Sequence, residues 1–240
     1  MRRLAIGLGA LAGVALLVWV AGRAGLEWYG RASQDPEFFA DEIAALEAAD
    51  LAHPPPARPI VFVGSSSIRL WDTLAEDMAP LPALNRGFGG SQLAHAVHFA
   101  DRAVIRYQPR AVVLYAGDND LDARTGKSAA DVVRDFQAFV GRVHTAVPDA
   151  RIYYLSIKPS RMRWARWPEQ AKANAEIAAL CAKDPRLAFL DVATPMLATG
   201  EPPSRELFIF DGLHLSERGY ALWTGVVKPR LLADFPEAGR

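Results

Sequence analysis

The chain has 240 residues, 51% hydrophobic and 22% charged, which is ordinary for a globular protein and long enough to bury a core without covalent staples. Lys+Arg and Asp+Glu both number 27, and no basic stripe breaks the balance, which argues against a nucleic-acid partner. The lone cysteine, Cys181, excludes an intramolecular disulfide and any cysteine-built zinc site, and beside Leu180 on an expected helix it reads as a buried structural thiol.

Taken in chain order, Met1-Arg2-Arg3 leads into residues 4–22, an uncharged run of about 19 residues closed by Arg23, near the minimum for a bilayer-crossing helix. Two arginines before the run against one after it favour the N-terminus inside and the bulk of the chain outside. A cleaved export signal has the same layout, although Gly22-Arg23-Ala24 is a poor small-x-small cleavage site. Retained, the segment anchors the protein in a membrane; cleaved, it leaves a secreted one; a buried helix is the third reading. The expected organisation is therefore a membrane anchor or signal over 1–30, a lead-in over 31–58 and a catalytic-type domain over 59–240. Within the lead-in, 35–52 reads as an amphipathic helix with Phe38, Phe39, Ile43 and Leu46 on one face, stopped by His53-Pro54-Pro55-Pro56. It either packs on the domain or stands off the membrane.

From Pro59 onward, short apolar runs alternate with helical patterns. Strands are expected at 60–63, 83–86, 111–116, 151–157 and 187–192. Runs such as Val112-Val113-Leu114-Tyr115 suit strands covered on both faces, as in a parallel sheet. Helices are expected around Val132, Val133, Phe136, Phe139, Val140 and Val143, over 168–182, and from Ser216 to about Leu232. The alternation predicts a three-layer α/β fold with a parallel sheet of about five strands.

Ligands of open parallel sheets bind beyond the carboxyl ends of the strands. The residues after each expected strand are therefore informative: Gly64-Ser65-Ser66-Ser67, then Gly87-Phe88-Gly89-Gly90, then Gly117-Asp118-Asn119-Asp120, and after the last, across a loop, Asp211-Gly212-Leu213-His214. Hydroxyl, flexible backbone, carboxamide, carboxylate and imidazole thus meet on one rim. A serine hydroxyl needs a base to take its proton, an imidazole has the basicity for that, and a carboxylate behind it fixes the tautomer. Backbone N–H groups and an Asn amide can hold a developing oxyanion. The parts suit acyl transfer.

These four blocks, in this order, resemble those of the SGNH (GDSL-type) serine hydrolases. Gly64-Ser65-Ser66-Ser67 is similar to the first, usually Gly-Asp-Ser-Leu; Asn85 to Gly90 to the second; Gly117-Asp118-Asn119-Asp120 to the third, Gly-x-Asn-Asp; and Asp211-x-x-His214 to the last. The resemblance implies a flavodoxin-like fold and an esterase, lipase, thioesterase or carbohydrate deacetylase without metal or other cofactor. It implies Ser66, His214 and Asp211 as the catalytic set, with the Ser66 N–H, Gly90 and Asn119 as the oxyanion hole. Ser65 stands where the family usually has Asp, so the choice of nucleophile among Ser65, Ser66 and Ser67 rests on alignment. The implied substrate is a small-molecule, lipid or glycan ester, with O-acyl groups of an envelope glycan or lipid as one possibility. An acyltransferase using the same site and a non-catalytic envelope-binding module are the alternatives. Sequence leaves the oligomeric state open.

Arg161-Met162-Arg163-Trp164-Ala165-Arg166-Trp167 lies on the same rim after the fourth strand. Arg163, Trp164 and Trp167 are candidate substrate-binding residues there, against the plainer reading of a solvated loop whose tryptophans pack on the core. His95 or His98 is a weaker candidate. Asp118, Asp120 and Asp122 alternate like the start of a calcium loop, but Ala123 and Ala129 replace the glycine and glutamate it needs. Gly126-Lys127-Ser128 resembles the end of a phosphate-binding loop, but Leu121 replaces its first glycine.

Overall fold

The computed structural model describes residues 35–236 together with Val20, Gly22 and Gly25. Its contacts divide the chain into Met1–Phe38 and Phe39–Arg240, and the sheet, core and site belong to the latter. Among the described residues no helix is long and apolar enough to cross a membrane; the run at 4–22, apart from Val20 and Gly22, lies outside them.

Five strands, β1 (Ile60–Gly64), β2 (Ala83–Gly87), β3 (Ala111–Tyr115), β4 (Arg151–Leu155) and β5 (Leu187–Leu190), form one parallel sheet in the order β2-β1-β3-β4-β5. Ile60 pairs with both Ala83 and Ala111, so β1 and β3 run in register at the centre, and every residue of each is buried. That explains the unbroken apolar runs, because helices cover both faces of the sheet. Alternate residues point to opposite faces. Ile60, Phe62, Val113, Tyr115 and Leu155 share one core with Trp71, Leu74 and Met78 and with α4 (Glu217–Asp234) through Trp223, Val227 and Leu231. On the other face α2 (Ala129–Ala146) packs Phe136 against Tyr154, ring centroids 5.1 Å apart, and Asn174 of α3 (Trp167–Cys181) bonds the backbone of Ile157.

The helix expected at 35–52 begins later, as α1 (Ala40–Ala52), because 36–39 form turns. It lies on the domain: Phe39 meets Phe88 and His95 at 5.4 and 4.9 Å, and Glu47 pairs with Arg102 and Arg106 at 2.7 Å each. Strand β4 stops at Leu155, short of the expected 157. The Ile157 N–H and C=O are taken by the Asn174 side chain at 2.8 and 3.0 Å and not by a neighbouring strand. Likewise Ser156 Oγ accepts the N–H groups of Val192 and Ala193, both at 3.0 Å, which turns the chain after β5.

The strand order reverses between β1 and β3. A sheet of this order opens its ligand crevice there, outside the carboxyl ends. The loops leaving β1, β2 and β3 carry the segments 64–67, 87–90 and 117–120.

Candidate active site

Strand β1 ends in Gly64, whose φ of +133° lets the chain turn sharply. Ser65 is extended, and its carbonyl accepts the N–H of Ile68 and Arg69 at 2.9 and 3.1 Å, starting a single helical turn, Ser66–Arg69. The turn is fastened on three sides. Asn85 donates to Ile68 O at 2.7 Å, Tyr220 donates to Ser67 O at 3.2 Å, and Lys158 donates to Ser67 Oγ at 3.0 Å. Burial separates the three serines that sequence alone left in competition. Ser65 and Ser67 are fully buried, and Ser66 alone is partly exposed.

Facing it is a short hairpin. Phe208 bridges Leu215, Ile209 N–H donates to His214 O at 2.9 Å, and Gly212 N–H closes the tip onto Ile209 O at 3.1 Å, with Gly212 at φ +67°. On this tip Asp211 Oδ1 accepts the N–H groups of Leu213 and His214 at 2.8 and 3.0 Å. Its Oδ2 lies 2.6 Å from His214 Nδ1, and His214 Nε2 lies 3.0 Å from Ser66 Oγ. Partial burial pushes the Asp211 carboxyl up, but the Leu213 N–H, the imidazole and the His214 N–H together hold it below the usual carboxylate range. A carboxylate can only accept, so Nδ1 carries the proton and Nε2 presents its lone pair to the hydroxyl. The arrangement can take a proton from Ser66.

Gly90 sits at φ +85°, in the region favoured by glycine, and the N–H groups of Ser66 and Gly90 donate to no group among the described residues. Asn119 is buried after β3. Its Nδ2 donates to Ser91 O at 2.9 Å, and its Oδ1 accepts from Arg163 Nη2 at 2.9 Å.

Behind these loops lies a buried polar cluster. Lys158, fully buried, donates to Ser67 Oγ, Tyr115 OH and Asp118 Oδ2, each at 3.0 Å. Burial pushes Asp118 up, but Lys158 and Arg163 bring it down to about 2, so it is ionised. Asp120 goes the other way. Burial raises it to about 6 against the pull of Lys127 and of the Leu93 N–H, which both its oxygens accept at 3.1 Å. A raised value means that folding favours the protonated form. Asp120 therefore contributes stability that is fully present below 3.8 and lost as pH rises through about 6. Urea midpoints of the wild type should fall relative to Asp120→Asn between pH 4 and 7, by about 2 kcal/mol in unfolding free energy. Parallel profiles would mean that this carboxyl does not titrate there.

The residues expected to line the rim divide. Arg163 is turned inward, only 9% exposed, with Nη1 and Nε each 3.3 Å from Asp118 and Asp122 oxygens, so it is no solvated pocket wall. The loop's own residues do not reveal this, because the carboxylates that draw Arg163 in are more than forty residues away in the chain. Trp164 and Trp167 are half-buried and stack nearly parallel, ring centroids 6.4 Å apart. His95 is buried, its Nδ1 accepting the Gln92 N–H at 3.0 Å. An open cavity of about 440 Å³ lies beside Asp211 between Arg161, Met162, Arg205, Phe208 and Phe210, and Phe210 is wholly exposed. Among the described residues no group of three or more His, Cys, Asp or Glu could hold a metal ion. Sequence reasoning assigned no role to Lys158 or Asn85. The available signal for Lys158 was a charged residue ending the apolar run 152–157, where burial demands a partner.

The chain resembles a GDSL-like lipase from Bacteroides thetaiotaomicron (TM-score 0.66, 21% identity, covering 83% of this chain and 98% of that one). It also resembles a lipase/acylhydrolase from Enterococcus faecalis (0.59, 18%, 74% and 96%) and a carbohydrate esterase family 3 protein from Talaromyces cellulolyticus (0.58, 16%, 75% and 99%). At such identities the likeness shows the fold. Comparison with curated protein sequences gives no match. The family model of the GDSL-like lipases/acylhydrolases matches residues 62–222, most of the chain, from within β1 into α4. The chain therefore belongs to the GDSL-like lipase/acylhydrolase family and is a serine hydrolase of carboxylic esters.

Proposed function

We propose that Ser66 is the nucleophile, His214 the general base and acid, and Asp211 the residue that orients and stabilises the imidazole. The observation that carries this reading is the unbroken line of hydrogen bonds from Asp211 through His214 to the one partly exposed serine of its turn, at 2.6 and 3.0 Å. His214 Nε2 takes the Ser66 proton as Oγ attacks the ester carbonyl carbon. The resulting oxyanion is held by the Ser66 N–H, the Gly90 N–H and the Asn119 amide, each such donor lowering the barrier by about 3–4 kcal/mol. The imidazolium then protonates the leaving alkoxide, the C–O bond breaks, and an acyl-serine remains. Water, deprotonated by the same imidazole, releases the carboxylic acid and restores Ser66. An alcohol in place of water would give acyl transfer by the same steps.

We further propose residues 1–30 as an anchor or export signal, 31–58 as a lead-in, and 59–240 as a hydrolase domain outside the cytoplasm. The charge bias about the apolar run 4–22 supports that placement. It makes O-acyl groups on an envelope glycan or lipid the substrate class of choice.

The test uses the full chain. It should release carboxylic acid from aryl acetates, O-acetylated glycans or lipid esters, and a fluorophosphonate probe should label it at one serine. Absence of both in well-folded protein would sink the reading. Products formed in the presence of added acceptor alcohols separate hydrolysis from transfer.

A further inference from the structure

We propose that Arg163 is a positioning residue of the oxyanion site, fixing which end of the Asn119 carboxamide faces the substrate; this rests on the assignment of Asn119 as an oxyanion donor.

A carboxamide is almost symmetrical in shape. Rotated by half a turn it would aim a carbonyl oxygen, an acceptor, where a donor is needed. The orientation is set by what its two ends touch. A guanidinium has only donors, so Arg163 Nη2, 2.9 Å from Asn119 Oδ1, admits the oxygen and rejects the amino group. Ser91 O, 2.9 Å from Nδ2, selects the same orientation from the other end and takes one of its two hydrogens. The charged donor also polarises the amide, which strengthens the hydrogen bond its N–H group can give.

Arg163 is in turn immobilised. Nη1 and Nε lie 3.3 Å from Asp118 Oδ2 and Asp122 Oδ2, and Asp118 Oδ2 is also bonded to Lys158 Nζ at 3.0 Å. Lys158 reaches on to Ser67 Oγ, in the residue after the nucleophile. One buried chain of contacts, Ser67 to Lys158 to Asp118 to Arg163 to Asn119, thus spans from the serine turn to the amide. A buried ion pair is a weak device for stability, since well-packed apolar groups often do as well. Holding a directed amide is a task that apolar groups cannot perform.

The test is a double-mutant cycle on an activated ester, with thermal midpoints recorded for each protein. Asn119→Ala should lower kcat about 100-fold. Arg163→Met should lower kcat about 10- to 100-fold and change KM less than about 3-fold, because the lost interaction forms in the transition state. Arg163→Met in the Asn119→Ala background should cost less than about 3-fold more, since the amide it positions is already gone. Arg163→Lys, which keeps a donor but not the planar fork, should recover part of the methionine loss. If Arg163→Met does not fold, the same cycle with Arg163→Lys must show the same non-additivity. Full multiplication of the two losses, or an unchanged kcat in folded Arg163→Met, overturns the positioning role and leaves the hydrolase reading standing. An unchanged kcat in Asn119→Ala overturns both the positioning role and the assignment of Asn119.

Discussion

Replacing Ser66 with alanine should lower kcat by about 10⁶-fold and abolish fluorophosphonate labelling, with the circular dichroism spectrum and thermal midpoint unchanged. The size follows from the mechanism, in which the hydroxyl is the only group that forms a covalent bond to the substrate. The absence of a folding penalty follows from its position. Ser66 opens a helical turn, is partly exposed, and makes its one side-chain bond to His214. His214→Ala should cost a similar factor, and the pair together little more than either, because the two act as one unit. Labelling that persisted in Ser66→Ala would move the nucleophile to Ser65 or Ser67. Both are fully buried, and Ser67 Oγ already accepts from Lys158.

Gly64→Ala should lose about 5 kcal/mol or more of stability and shift the thermal midpoint down by roughly 10–20 °C, or prevent folding altogether. A Cβ built at Gly64 falls 1.8 Å from the Tyr115 carbonyl oxygen, and φ there is +133°. That oxygen belongs to β3 at the middle of the sheet and accepts the Ser65 N–H at 3.0 Å, so it has nowhere to withdraw. Gly141→Ala is the matched control. It lies inside α2, and a Cβ there meets nothing within 4 Å, so alanine should stabilise by about 0.5–1 kcal/mol. If both variants melt within a few degrees of the wild type, the tight approach of the β1 loop to β3 is wrong.

Much of the frame was legible from residue order. A strand buried on both faces leaves an apolar run, so β1 and β3 stood out, while β2, only partly buried, was marked by the glycine-rich segment that follows it. The ends of β4 and β5 could not, because they are decided by Asn174 and Ser156 bonding to backbone across the fold. The same holds for the site. Ser66, Asp211 and His214 stood out by type and spacing, whereas the inward turn of Arg163 depends on carboxylates from another loop. In the sequence, Arg163 reads as part of a solvated loop or of a pocket wall. In the fold Met162 is 65% exposed and Arg163 is 9% exposed. Charge type does not reveal direction when the compensating charge is distant in sequence.

The hairpin tip at 209–214 makes the imidazole and its carboxylate the product of six consecutive residues. Every bond that joins those two side chains, and the backbone closure that frames them, is local. Displacing β1 would therefore part the two segments at one contact, the 3.0 Å from His214 Nε2 to Ser66 Oγ, and leave the bonds within 209–214 untouched.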